Sequence, residues 1–306
     1  FCEESHEWIH LAMVSNGFNA SLVKKRLIQI NQTEHWFNSL AKKEQKDLEF
    51  LDRHLINEIK KPKNQSSLTK IQFLISKGAR ASCEDSCGRR GIHWAARHGK
   101  IATIETILSR CEDINVTSKT GWSPLHFAAS GGHPKTIHLL VKSGAKLDIC
   151  DEVGRTPVHI ATIKKNKEAL KALLELGASP NAVSSKVGAP LHMTALNGGL
   201  EVAETLLDYG ADPELRFLHE KEGGSKTPMH LAIQYDCLPL VKLLSNRPKK
   251  DFRVKRTEKD QESLYAQKIA SPLHFAIYLK RTKIVEFLAS QEKTLEKSPQ
   301  DTHKYT

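Results

Sequence analysis

His93, His126, His159 and His192 stand 33 residues apart, three of them in the tetrads Ser123-Pro-Leu-His126, Thr156-Pro-Val-His159 and Ala189-Pro-Leu-His192. A second series, Gly78, Cys111, Gly144, Gly177 and Gly210, keeps the same step in another phase. The tetrad returns after longer gaps as Thr227-Pro-Met-His230 and Ser271-Pro-Leu-His274. Two markers in one register restrict the chain to a tandem array of equivalent units. Within a unit, Ser123, Thr156, Thr227 and Ser271 offer hydroxyls that cap a helix N-terminus, and Pro suits the first helical position, where no amide donor is needed. Apolar pairs eleven and fourteen residues beyond the His, among them Ile104/Ile107, Ile137/Leu140, Leu170/Leu173 and Val241/Leu244, mark the buried face of a second helix. Gly144, Gly177 and Gly210 then end that helix in the left-handed conformation.

The period and the tetrad resemble the ankyrin repeat, a β-turn plus two helices. The resemblance covers residues 67–291 and implies an all-α fold, an α-solenoid of β-hairpin plus helix-turn-helix units, acting as a binding scaffold. One unit cannot bury its apolar face alone, so neighbours must stack and the ends need caps. A half repeat at Thr69–Gly78 leads into six regular units starting near Asp85, Ser118, Asp151, Ser184, Glu222 and Ala266. The first has Arg90-Gly91 in place of Ser/Thr-Pro, and the fourth has Ala189 at the capping position. Residues 1–66 read as a helical N-terminal cap with a worn repeat around Trp8-Ile9-His10-Leu11-Ala12. An amphipathic helix over Leu40 to Ile59 covers the array's end. Residues 292–306 form a polar C-terminal tail.

The chain of 306 residues carries a net charge of +11. Such a sum bears on association rather than fold. It fits a solvated Lys-rich face, a basic groove for an acidic protein segment, or a surface for nucleic acid or membrane. No apolar run is long enough to span a bilayer. The six cysteines lack paired metal-ligand spacing beyond Cys83/Cys87, so free thiols in a reducing compartment are expected, cytoplasmic or nuclear. The chain opens on Phe1 rather than Met, which points to a piece of a longer protein.

No motif supports catalysis, and no cofactor or metal is expected. His93, His126, His159, His192, His230 and His274 share one slot, and the resemblance implies a structural role there. Gly223-Gly224-Ser225-Lys226-Thr227 lacks the spacing of a phosphate loop and reads as a turn. Asn-x-Ser/Thr motifs at Asn19, Asn31, Asn64 and Asn115 read as unmodified, although Asn115 resembles asparagines hydroxylated in ankyrin repeats. The long connection from Arg247 to Ala270, with Lys249, Lys250, Arg253, Lys255 and Arg256, is a candidate nuclear address or nucleic-acid patch.

The resemblance places partner binding on the hairpin tips and the exposed side of each first helix, the concave face. Carried over by position, the slots hold Arg89, Arg97, His98, Lys119, Trp122, Arg155, Lys164, Lys226, Tyr235 and Tyr278, with Trp122 and Arg155 as the leading pair. Arg and aromatic residues are enriched among binding hot spots, and Arg contacts carboxylates in bidentate fashion. This favours a monomeric, non-catalytic scaffold for an acidic or mixed protein segment. The alternatives are an adaptor or targeting part of a larger enzyme or secreted effector, and a nucleic-acid binder through the basic connection.

Overall fold

The computed structural model describes residues 48–62, 65–110, 113–218, 225–246 and 271–296. The worn repeat near His10, residues 40–47 of the expected amphipathic helix, Cys2, Cys111, Asn19, Asn31, Asn64, Gly223, Gly224, the 247–270 connection and residues 297–306 lie outside the described residues, and residues 292–296, expected in the polar tail, instead continue the last helix.

Fourteen helices occur among them, in chain order. They are α1 (Leu48–Lys60), α2 (Leu68–Ser76), α3 (Gly91–Arg97), α4 (Ile101–Leu108), α5 (Pro124–Gly131), α6 (Pro134–Lys142), α7 (Pro157–Ile163), α8 (Lys167–Glu175), α9 (Pro190–Asn197), α10 (Leu200–Asp208), α11 (Pro228–Gln234), α12 (Leu238–Ser245), α13 (Pro272–Tyr278) and α14 (Thr282–Glu296). Strands β1 (Phe217–Leu218) and β2 (Ser225–Lys226) form a short antiparallel pair before α11. The first helices α3, α5, α7, α9, α11 and α13 each hold a motif His, and the second helices carry the apolar pairs.

The chain divides into two compact units, one within Phe1–Ala95 and Lys100–Asp113, the other within Ala96–Gly99 and Ile114–Thr306. In the first, Leu51, Leu55 and Ile59 of α1 are buried, as are Ile71 and Leu74 of α2 and Ile104 and Ile107 of α4. In the second, the first helices α5, α7, α9, α11 and α13 pack each on the next, and α6, α8, α10, α12 and α14 do the same. Ala128, Ala129 and Ala161 have no exposed surface, and their small side chains let the paired helices approach closely.

The caps differ from expectation in one respect. The hydroxyls of Ser123 and Thr156 pair with the motif His Nδ1 (2.9 Å each), which also accepts the capping residue's own amide. Only Thr227 and Ser271 also accept an amide of the first turn. Because the ring supplies the acceptor, Ala189 and Arg90 work without a hydroxyl, their amides donating to His192 and His93 at 3.2 and 2.9 Å.

A second recurring link sits where a second helix begins. His133 Nε2 meets the Arg97 carbonyl, Asn166 Nδ2 donates to the Ala129 and Ser130 carbonyls, and Arg281 donates to the Gln234 carbonyl. Each ties one repeat to the open C-terminal carbonyls of the preceding first helix. Lys100 reaches the Ile59 carbonyl in the same way, so α1 receives the treatment of a first helix.

The residue just before this position is left-handed in all six repeats, whether or not the link is made. Gly99, Gly132 and Gly198 have φ of 66°, 73° and 63°, whereas Lys165, Asp236 and Lys280 adopt 57°, 57° and 56° with side chains. A side chain in this region costs roughly 1 kcal/mol. A Cβ on Gly132 would also lie 3.2 Å from Asn166 Cγ. In urea titrations Gly132→Ala should lose about 1–2 kcal/mol, and Lys165→Gly should gain about 1 kcal/mol. Equal midpoints for all three proteins would refute this account of strain.

Candidate functional site

The motif histidines are fully buried at His93, His126, His159 and His192. Nε2 of His126, His159 and His192 meets the carbonyls of Arg155, Gly188 and Lys226 at 2.9, 2.9 and 3.2 Å, each just before the next unit's capping residue. Because Nδ1 accepts an amide N–H, Nε2 carries the proton and donates. The ring therefore spans two repeats and is held in its neutral form. Burial pushes His126 down to about 4 and also lowers His159 and His192, and like-charged neighbours add to the effect. Both ring nitrogens being engaged, these histidines are not ligands in waiting. Among the described residues no group of three or more His, Cys, Asp or Glu is placed to hold a metal ion.

The leading pair of the sequence analysis is engaged inside the fold. Asp151, with 1% of its side chain exposed, accepts from Arg155 Nε (2.8 Å) and NH2 (2.7 Å) and from Trp122 Nε1 (3.1 Å). Its other oxygen accepts the amides of Val153 and Arg155. Burial by itself would raise this carboxyl, but the Arg155 contacts bring it below its ordinary value. Trp122 packs edge-on against Phe127, with ring centroids 5.2 Å apart. Trp122 is thus half-buried rather than exposed, and Arg155 has spent two of its donors on one oxygen of an internal carboxylate. The pair links one hairpin to the next.

In the first unit Arg89 repeats the device. It pairs with Asp85 at 3.0 Å and lies 4.5 Å over the Trp94 ring, while Trp94 Nε1 and Lys60 Nζ reach the same carboxylate. Burial opposes ionisation of Asp85, yet these donors and two backbone amides hold it at about 2. A cleft of about 310 Å3 in this unit is lined by Asp52, Lys60, Arg80 and Asp85. Asp52 and Asp85 are already met by Arg80 and Lys60, so its buried carboxylates form a seam of ion pairs.

Lys226 corrects the expectation of a surface cation. The β1–β2 pairing and the start of α11 leave it 6% exposed, and Nζ donates to Gln234 Oε1 at 2.8 Å. Asn115 is half-buried and bridges repeats, donating to the Gly144 carbonyl and accepting the Lys146 amide; Asn181 does the same with Gly210 and Asp212.

The remaining slots face solvent. Arg97, Lys119 and Lys164 are exposed, His98 is half-buried, and Tyr235 and Tyr278 are 50% and 61% exposed. Those slots do not include Ile277, which is 54% exposed beside Tyr278, or Leu196, which is 45% exposed. Both are large apolar residues near the end of a first helix, where sequence periodicity does not separate a core face from a bare one.

The profile for ankyrin repeats, described as three copies, matches residues 62–151, 92–184, 136–217 and 191–301. A search of curated proteins found no match to the chain.

Two outcomes follow from this geometry. Above pH 6.5 His126, His159 and His192 are neutral in folded and unfolded chains alike. Between pH 6.5 and about 4 only the unfolded chain takes up the proton, so stability is full above 6.5 and drains away as pH falls, by on the order of 3 kcal/mol for His126. Urea midpoints at pH 7.5 and 5 should show this loss, and His126→Gln, though less stable at pH 7.5, should lose less between the two; a pH-independent midpoint contradicts it. Arg155→Ala leaves the buried Asp151 charge short of its partner and should cost about 2 kcal/mol after allowance for solvent at the half-exposed guanidinium. A melting temperature unchanged by Arg155→Ala would refute the clamp.

Proposed function

The chain belongs to the ankyrin-repeat family, and from that premise we propose that it binds an acidic or mixed protein segment along its concave face, made of the hairpin tips and the solvent-facing side of its first helices. Ankyrin repeats mediate protein–protein interaction and are typically non-catalytic. The observation that carries the finer reading is the division of labour within the repeats. Trp122, Arg155, Lys226, His126, His159 and His192 spend their polar groups inside the fold, whereas Arg97, Lys119, Lys164, Tyr235 and Tyr278 in the second unit stay exposed. Cations beside aromatic rings suit a partner that brings carboxylates and an apolar anchor.

Trp122 and Arg155 serve this reading indirectly, by fixing the hairpins. No helix among the described residues is long and apolar enough to cross a membrane. The alternative of binding nucleic acid through residues 247–256 lies outside the described residues.

The test is affinity capture from nuclease-treated lysate with the wild-type chain and a Lys119→Glu/Lys164→Glu variant. Both substitutions are on exposed side chains, so folding, checked by circular dichroism, should be unchanged. Capture of a protein by the wild type and its loss by at least about fivefold in the variant is expected, as charge reversal at a rim weakens association. Capture that vanishes with nuclease, or persists undiminished in the variant, counts against the reading.

A further inference from the structure

The exposed large apolar side chains of the described residues are not scattered. Of seven, Leu196, Leu200, Tyr235, Ile277 and Tyr278 lie where first helices α9, α11 and α13 meet their second helices. These first helices pack each on the next, so the five residues form one strip within the second unit. A run of exposed apolar groups over adjacent elements marks an interaction surface, whereas single ones do not.

Lysines stand at both ends of the strip. Lys164 and Lys165 follow α7, the neighbour of α9, and Lys280 and Lys283 lie beyond Tyr278; all four are exposed and form no ion pair among the described residues. Two of them carry a further mark. Lys165 and Lys280 occupy the left-handed slot that glycine fills at Gly99, Gly132 and Gly198; Asp236 between them does so too, but its carboxylate is met by Arg281 at 3.9 Å, which leaves the two lysines as the slot's unneutralised charges. The fold would be more relaxed with glycine at both. Backbone strain kept at an exposed position, with a charged side chain in place of the residue the geometry prefers, points to a task for that side chain.

Resting on the reading of the chain as a protein-binding module, we propose that this strip holds one extended protein segment with apolar side chains at its centre and carboxylates at both ends. Adjacent helices lie roughly 10 Å apart, so the distance from the Lys165 slot to the Lys280 slot is about 30 Å. At about 3.3 Å per residue an extended segment crosses it in nine or ten residues. The apolar centre would meet Leu196, Tyr235 and Tyr278 at intervals of about three residues. The charge order excludes a segment basic at its ends.

The probe is a displayed library of random 16-residue peptides selected on the whole chain. Selected peptides should share an apolar centre between acidic ends. Tyr235→Ala/Tyr278→Ala should weaken them at least about tenfold. Lys165→Gly/Lys280→Gly should weaken them about three- to tenfold, with a shallower salt dependence, while raising the melting temperature. Tighter folding with poorer binding is an outcome that a merely structural role for these lysines does not produce. Binders indifferent to both variants overturn the strip but leave the protein-binding reading intact, as does selection of basic peptides. Absence of any binder counts against both, and preferential retention of single-stranded nucleic acid assigns the strip to another class of partner.

Discussion

One imidazole per repeat carries most of the structural load. In His126, His159 and His192, Nδ1 closes the start of its own helix and Nε2–H closes the loop entering the next, so a single buried ring satisfies polar groups of two units. A buried amide or carbonyl without a partner costs about 1–3 kcal/mol, which is why the arrangement cannot be loosened piecemeal. It also requires the ring to be neutral, and this makes acid the natural adversary of the stack. The lost hydroxyl at Ala189 is tolerated for the same reason: the acceptor the amide needs comes from His192, not from the capping side chain.

Around that ring the hairpins are tied by carboxylates. Asp85 and Asp151 collect an arginine, a tryptophan and two amides each, and in doing so withdraw the most conspicuous binding-type residues from the surface. Trp122 and Arg155 are therefore poor reporters of partner contact, since changing them disturbs the fold before it disturbs any interface. What is left to meet a partner is plainer: lysines, tyrosines and aliphatic side chains near the ends of the first helices.

Those ends also show where local preference was overruled. The left-handed slot is glycine in three units and lysine or aspartate in three others; two of the substituted units line the apolar strip and one flanks it, while Gly198 keeps glycine in the remaining lining unit. The series is readable from spacing alone, six residues after each motif His, but a lysine in it has no meaning until the backbone conformation is known.

Much of the fold was legible in the sequence. The 33-residue step, the Pro-x-His tetrads and the paired apolar positions placed the helices of every regular repeat, because repeats depend on nearest-neighbour packing that the period itself encodes. The second helices end as Gly144, Gly177 and Gly210 require. The candidate site was legible only in part. Position gave the exposure of Lys164, Tyr235 and Tyr278 but not the internal contacts of Trp122, Arg155 and Lys226, because a side chain looks the same in sequence whether its donors face water or a buried acceptor. The link from Lys100 to Ile59, the seat of Trp122 on Asp151 and the apolar strip all join residues from different helices or hairpins. Sequence determined which elements form and in what order; only the packing of one repeat on the next decided which polar groups are consumed inside and which apolar ones remain bare, because hydrogen bonding and burial are settled between units rather than within them.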